Sequence, residues 1–344
     1  MLSTSLFLVA TLLATPSTSY DSTVDSTVDS TVTRSADIVT LLSTLADDSM
    51  QGRRTGTTGA RKAATAIAAQ MKKIGLEPLG DSGYFQRVPL AITPSADGPN
   101  LSVVSDWTAF NGLRPEGRVV DANVVGVLRG SDPKLRDEAV LVDAHYDHLG
   151  IGAPVAGDSV YNGADDDASG VVAVLEIARL LATGTHPKRT VVFLATTGEE
   201  VGLLGTQWYV THPAFPLEHT VSNLEIEMIG RPDSLAGGTG HAWLTGFYRS
   251  TMGPTFKAAG LPIVADPRPD QQFFQRSDNI AFAKYGIPAQ TLSTFNLHTD
   301  YHQPSDEVSR VDMAHVTAVI QAATRAVSIL ANGDTPTWVN GGQP

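Results

Sequence analysis

Cysteine is absent from the 344-residue sequence. Disulfide bonds and thiolate metal ligands are therefore excluded, because both need a sulfur that no other residue supplies in that form. Any metal site in this chain must be built from imidazole nitrogens and carboxylate oxygens. The sequence offers 9 histidines and 36 acidic residues for that purpose.

Positive charge is also scarce. Lys and Arg together number 24 against 36 Asp and Glu, which gives a net charge of −12. A chain with this balance repels a phosphate backbone, so we predict no nucleic-acid partner. The excess of acid is typical of a solvated surface that keeps a protein soluble.

The N-terminal apolar run, residues 6–13, is too short to span a bilayer. Small and polar residues follow it, and the whole predicts a signal peptide over residues 1–20 and a secreted or periplasmic protein. A mis-assigned start or a disordered leader is the alternative, since no Lys or Arg stands near Met1. The tetrapeptide DSTV then occurs three times, which predicts a low-complexity spacer over residues 21–34.

The remaining sequence is long and apolar enough to bury a full core. Helical and strand-like patterns alternate along it, which indicates an α/β fold with a central sheet and helices on both faces. We expect a single domain over residues 35–333 and a flexible tail over residues 334–344. The patterns predict helices at 38–45, 63–74, 171–181, 203–210 and 311–331, and strands at 84–90, 101–104, 124–128, 139–144, 190–195, 224–229 and 289–292.

Polar clusters follow the predicted strands, where ligands of α/β sheets gather. HYDH follows the strand ending at Ala144, NGADDDASG precedes a helix, GEE follows the strand ending at Ala195, and HTDYHQPSD follows the strand near Ala289. Each cluster alone has a structural explanation, such as a helix N-cap or a solvated loop. Glu225 and Glu227 share one face of an apolar strand, so at least one of them needs a charged partner.

Together these clusters supply imidazoles and several carboxylates, which is what two divalent metal ions require. The ligand set favours zinc, and manganese or cobalt would also accept it.

The motifs HYDH, NGADDDASG, TGEEVGLLG, EMIGR and YHQPSD, in this order, resemble the M28 family of zinc peptidases. The resemblance runs from about residue 36 to 331 and implies a mixed sheet sandwiched by helices, the zinc-dependent exopeptidase (phosphorylase/hydrolase-like) fold. It implies an aminopeptidase that acts on peptide substrates. The resemblance also implies a cis peptide bond between Asp166 and Asp167. Separately, we expect no stable membrane association after signal removal, and we expect a monomer.

The same resemblance implies roles for individual residues. Hydrolysis would use a water between two zinc ions, with Glu199 as general base, Asp147 orienting the first histidine and Tyr301 stabilising the oxyanion. Asp166 would bridge the metals, and the expected ligands are His145, Asp166 and Glu227 for one ion and Asp166, Glu200 and His302 for the other.

Two departures from the family pattern affect these expectations. Glu227 stands where the family usually has Asp, which leaves Glu225 as a competing ligand. Asn279 stands where the family often has His. His148, His298 and Asp165 are expected at the rim of the site.

Two other functions share the fold. Glutaminyl cyclases are acyltransferases that use one zinc, and some ectodomains keep the fold as catalytically silent binding modules. The full set of ligand positions favours the peptidase. Carboxypeptidase or dipeptidase specificity stays open from the sequence.

Overall fold

The computed structural model describes residues 35–95 and 99–344. The predicted signal peptide and spacer, residues 1–34, lie outside the described residues. The helices are α1 Ser35–Leu45, α2 Thr58–Ile74, α3 Trp107–Gly112, α4 Gly170–Thr183, α5 Leu204–Thr211, α6 Met252–Ala258, α7 Asn279–Lys284 and α8 Met313–Asn332.

The strands are β1 Glu77–Pro78, β2 Phe85–Thr93, β3 Asn100–Val103, β4 Arg118–Leu128, β5 Ala139–His145, β6 Gly150–Val155, β7 Asp158–Tyr161, β8 Thr190–Thr196, β9 Thr220–Glu227, β10 Ala242–Leu244, β11 Ile263–Ala265 and β12 Ala289–Ser293. Ten of them form one mixed sheet, ordered β11-β10-β12-β9-β5-β8-β4-β2-β3, with β1 beside β4. Strands β12, β9, β5 and β8 run parallel to one another, and β4 pairs antiparallel with β8. The predicted mixed sheet between helices is confirmed.

Side chains of the central strands enter two cores, one on each face of the sheet. In β5, Val140 and Val142 pack in the core that contains α1, α2, α4 and α8, while Leu141 packs with residues of α5 and α7 on the other face. Both faces of β5 are covered, which explains its apolar run over residues 139–142. The same strand therefore holds its C-terminal His145 rigidly.

Local capping explains where the predicted helices begin and end. The Thr57 side chain accepts a hydrogen bond from the backbone N–H of Ala60 at the start of α2, and Gly75 ends the helix with φ +92°. A residue with a Cβ atom is strained at that φ, so glycine is the favoured residue. Asp312 caps α8 in the same way, accepting from the N–H groups of Ala314 and His315.

Within residues 35–95 and 99–344, α8 alone is long and apolar enough to cross a membrane by length and composition. It packs against α4, α1 and β5, and 61% of its most apolar window is buried. A mostly buried core helix can have the same length and apolar composition as a helix that crosses a membrane.

The segment after HYDH forms the β6–β7 hairpin, with pairing between Gly150 and Tyr161. The expected flexible tail is attached to the body, because Trp338 bridges to Ser250 and donates its indole N–H to the Gly286 carbonyl at 2.9 Å. Neither contact has a local sequence signature, since both depend on partners brought near by folding.

Candidate metal centre

The predicted site residues meet at the carboxyl edge of the parallel strands. His145 ends β5, Glu199 and Glu200 follow β8, and Glu227 ends β9. Asp166 lies in the turn that leads into α4, and the loop after β12 brings in the remaining histidine. This convergence follows from topology, because neighbouring parallel strands end at one edge of the sheet.

Asp166 lies between two histidines. His145 Nε2 is 3.3 Å from its Oδ1, and His302 Nε2 is 3.2 Å from its Oδ2. His302 Nε2 also lies 3.1 Å from Oε2 of Glu200. Each oxygen of one carboxylate thus faces a different imidazole, an arrangement that suits a carboxylate shared by two cations.

The two nitrogens of His145 have different surroundings. Nδ1 lies 3.1 Å from the main-chain oxygen of Asp147, which fixes the ring and places the proton on Nδ1. Nε2 is buried without a hydrogen-bond partner although it faces Asp166. A buried imidazole nitrogen without a hydrogen-bond partner beside a carboxylate fits a zinc ligand.

Asp147 was expected to orient His145 through its carboxylate. The carboxylate oxygen Oδ1 is 3.8 Å from His145 Nδ1, too far for a hydrogen bond, so the main-chain oxygen makes that contact instead. The carboxylate accepts hydrogen bonds from Thr55 Oγ1 at 2.8 Å and from the backbone N–H of Glu199 at 3.1 Å. Burial raises the pKa of Asp147 to about 6.

The three glutamates of the cluster differ in pKa. Burial raises the pKa of Glu199 well above its ordinary value and that of Glu227 to about 8. Burial also opposes ionisation of Glu200, but hydrogen bonds with His148 and His302 outweigh it and lower the pKa. Such a concentration of buried carboxylates is unfavourable unless protons or cations balance it, so the donor set fits divalent metal ions.

Glu225 and Glu227 have separate surroundings although they share a strand face. Glu227 lines the pocket that holds the cluster. Glu225 is buried and accepts hydrogen bonds from the Ser277 hydroxyl, from Thr291 Oγ1 at 2.7 Å and from two backbone N–H groups, those of Asp278 and Asn279, at 3.0 Å each. Its acceptor sites are thereby filled, so Glu227 is the better placed ligand.

His148 is a site residue that sequence reasoning assigned to the rim. It is 1% exposed, its Nδ1 lies 2.7 Å from Glu200 Oε1 and 3.8 Å from Asp166 Oδ2, and its Nε2 has no hydrogen-bond partner. His148, Asp166 and Glu200 lie close enough to hold one ion. The signal was present in HYDH, which places two imidazoles at one strand end.

Asp165 and His298 were also expected at the rim. Asp165 is fully buried, accepts a hydrogen bond from the Gly230 N–H at 2.6 Å and faces His298 Nε2 at 2.9 Å. The rim prediction is wrong for Asp165, because its carboxylate joins the turn before α4 to the segment after β9. The predicted cis peptide bond between Asp166 and Asp167 is confirmed.

Tyr301 lines the same pocket as the cluster. Its ring stacks on that of His302, with centroids 3.9 Å apart, and burial raises the pKa of its hydroxyl. The phenol is thus neutral at ordinary pH and able to donate a hydrogen bond.

The pocket extends from the carboxylates to an aromatic wall. Trp243 stacks on Phe273 with centroids 5.2 Å apart, and Phe295 meets Phe273 edge to face at 5.8 Å. Arg276 also lines it. Sequence reasoning missed these four residues, because they come from separate segments without a shared motif.

The model of peptidase family M28 matches residues 123–327. This chain belongs to the M28 family of zinc peptidases. The match includes every predicted ligand, from His145 to His302. The family expected from the ordered motifs is therefore confirmed.

Curated relatives include two proteins of Pyrenophora species. A vacuolar membrane protease of Pyrenophora tritici-repentis is 27% identical over 254 residues, covering 70% of this chain and 25% of the relative. A probable zinc metalloprotease of Pyrenophora teres f. teres is 28% identical over 210 residues, covering 59% of this chain and 43% of the relative. The chain thus spans about a quarter of the length of the first and under half of the second.

Solved structures share the fold at low identity. An aminopeptidase from Aneurinibacillus sp. strain AM-1 superposes with a TM-score of 0.61 at 16% identity, covering 90% of this chain and 96% of that one. A zinc aminopeptidase from Bacillus subtilis gives 0.63 at 16%, with 87% and 95% covered. A glutaminyl cyclase from Porphyromonas gingivalis gives 0.57 at 18%, with 85% and 97% covered.

These comparisons contradict the predicted secreted or periplasmic location. Several relatives that match over more than half of this chain are named for the vacuolar membrane. The error came from the apolar N-terminal run, since such a run indicates targeting to a membrane translocation route and does not specify the final compartment.

Proposed function

We propose that this chain is a two-zinc aminopeptidase that removes the N-terminal residue of peptides. The observation that carries the proposal is the position of Asp166, whose two oxygens face His145 and His302 separately at 3.3 and 3.2 Å. One ion would be held by His145, Asp166 and Glu227. The other would be held by Asp166, Glu200 and His302.

Two divalent cations at this place would activate a water molecule and polarise the scissile carbonyl. Glu199 is suited to carry a proton from that water to the leaving amine, because it lines the pocket and is not needed as a ligand. The hydrogen bond from its backbone N–H to Asp147 positions it. Tyr301 would donate a hydrogen bond from its phenolic O–H to the oxyanion.

The second imidazole near Glu200 has a different task in this proposal. His148 Nδ1 lies 2.7 Å from Glu200 Oε1, while His302 meets the other oxygen, Oε2, at 3.1 Å. His148 would therefore orient Glu200 from behind, as outer residues commonly do for carboxylate ligands.

Exopeptidase action is supported by the shape of the site. The pocket beside the carboxylates is bounded by the aromatic wall of Trp243, Phe273 and Phe295, which would limit how far a peptide extends on that side of the scissile bond. The solved aminopeptidases share this fold, and the glutaminyl cyclase shares it too. The fold alone does not choose between those activities.

The test combines metal analysis with substrates. Purified protein should hold two zinc ions per chain, lose activity in a strong chelator and regain it with zinc or cobalt. Aminoacyl coumarins should be cleaved and their N-acetylated forms should not. One ion per chain with cyclisation of N-terminal glutamine would instead identify a cyclase, and absence of both metal and turnover would identify a binding module.

A further inference from the structure

Arg276 brings an unpaired positive charge into the catalytic pocket. Its side chain lines the pocket together with Glu199, Glu227 and Tyr301, and it is exposed. In the described part of the chain, no Asp or Glu forms an ion pair or hydrogen bond with its guanidinium. Several other arginines of this acidic chain have carboxylate partners, as Arg231 has in Asp300.

The guanidinium is held in place by an aromatic ring. Its Cζ lies 5.0 Å from the ring centroid of Phe273, within the range of a cation–π interaction. Phe273 is 7% exposed and is itself fixed between Trp243 and Phe295. The charge therefore lies against the aromatic wall of the pocket.

The backbone beneath Arg276 is also fixed. Its N–H donates to the Phe273 carbonyl at 3.0 Å. The next three residues, 277–279, all donate hydrogen bonds to the buried carboxylate of Glu225. Glu225, which is not placed as a metal ligand, thus anchors the segment that presents the guanidinium.

The expected charge of the pocket with two metal ions bound makes Arg276 important for substrate binding. Four carboxylates line the pocket, those of Asp166, Glu199, Glu200 and Glu227. Two divalent ions would neutralise them, and the guanidinium would then leave the pocket with a net positive charge. A guanidinium without a protein partner is a suitable site for a carboxylate, which it can bind through two parallel hydrogen bonds.

We propose that Arg276 makes this enzyme select peptides with an acidic N-terminal residue, glutamate above aspartate. The inference builds on the proposed aminopeptidase function and names its substrate class. The methylene groups of a glutamate side chain would lie along Phe273 and Trp243, and its carboxylate would meet the guanidinium. Aspartate is shorter by one methylene and reaches less far.

The experiment compares kcat/KM for glutamyl, aspartyl, glutaminyl and leucyl coumarin substrates. Glutaminyl is the matched neutral substrate, because it has the shape of glutamyl without its charge. We expect the zinc-loaded enzyme to prefer glutamyl over glutaminyl by about tenfold, the size of effect that one charge-assisted hydrogen bond produces. Arg276→Gln should remove this preference with little change for glutaminyl and leucyl, and Arg276→Lys should restore part of it.

Arg249→Gln is the control variant. Arg249 also covers an aromatic ring, with Cζ 4.4 Å from the centroid of Phe274, but it does not line the pocket. Its removal should leave the glutamyl to glutaminyl ratio unchanged.

Three outcomes would overturn the inference. The first is equal turnover of glutamyl and glutaminyl substrates by the unmodified enzyme, and the second is an equal loss for all substrates in Arg276→Gln. The third concerns dipeptide substrates. If Arg276→Gln slows cleavage of free dipeptides but not of dipeptide amides, the guanidinium binds the terminal carboxylate of the substrate instead. If no aminoacyl substrate is cleaved under any metal condition, the proposed function fails and this inference fails with it.

Discussion

The carboxylate of Asp147 accepts a hydrogen bond from the backbone N–H of Glu199 at 3.1 Å. The main-chain oxygen of the same residue meets His145 Nδ1 at 3.1 Å. Asp147, in the loop after β5, therefore positions both a proposed ligand and the proposed general base. Its other carboxylate oxygen is held by Thr55, from the segment before α2.

The first prediction concerns this connection. Asp147→Ala keeps the main-chain oxygen that faces His145 but loses the acceptor for Glu199, so kcat should fall by about 10- to 100-fold while zinc content stays near normal. Thr55→Val is the matched control, since it removes one hydrogen bond to the same carboxylate and should cost less. Steady-state kinetics and metal analysis on both variants measure this. An unchanged kcat in Asp147→Ala would remove any positioning role.

The second prediction separates Glu225 from Glu227. Glu227→Gln should lower zinc content, because an anionic ligand is lost, and Glu227→Asp should retain metal. Glu225→Gln should keep zinc but lower the free energy of unfolding by about 1–3 kcal/mol, because its NH₂ group would face backbone N–H donors. Denaturation of the zinc-loaded variants and metal analysis give both quantities. Metal loss in Glu225→Gln alone would make Glu225 the ligand.

The third prediction concerns pH. Burial lowers the pKa of His302, but hydrogen bonds to Asp166 and Glu200 outweigh it and raise the pKa to about 10 in the metal-free protein. Below that pH the ring is protonated and must release a proton to bind zinc. Zinc affinity should therefore rise with pH between 6 and 9.

Calorimetric zinc titration in two buffers of different ionisation enthalpy would count the protons released. His302→Asn should release fewer protons than the unmodified protein at the same pH. Equal proton release by both proteins would show that His302 does not exchange its proton for metal.

The fold was predictable from the sequence because its main elements are long and strongly patterned. Strand β5, residues 139–145, begins with an apolar run and is buried along its whole length, and α2 has a capping threonine and a terminal glycine. Short strands escaped prediction. β10 and β11 have three residues each, and their pairing is set by neighbouring strands rather than by local pattern.

The part of the site that consists of sequence motifs was predictable. His145, Asp166, Glu200 and their partners follow strands and come together because parallel strands end at one edge. Two features of the site were not predictable: the burial of His148, and the four hydrogen bonds that the Glu225 carboxylate accepts. Both depend on segments distant in sequence. Alternation gives the face of a strand residue, and contacts across the fold decide what that residue does.

The fourth prediction separates the adjacent glutamates that follow β8. Glu200 Oε1 and Oε2 face His148 and His302, while the backbone of Glu199 is tied to Asp147 and burial raises the pKa of its carboxyl group. The two residues therefore point at different partners. Glu199→Gln should keep both zinc ions and the fold but lower kcat by about 10²- to 10⁴-fold, the contribution of a positioned proton carrier, with little change in KM.

Glu200→Gln should behave differently, because it removes an anionic ligand and the acceptor of two imidazoles. Zinc content should fall toward one ion per chain, and excess zinc should restore part of the activity. Metal analysis and steady-state kinetics on these two variants, which differ from the enzyme by one amide each, decide the assignment. If Glu199→Gln loses metal and Glu200→Gln loses only kcat, the roles are exchanged. If neither variant loses activity, the loop after β8 has no catalytic role and the proposed chemistry is wrong, whatever the metal content.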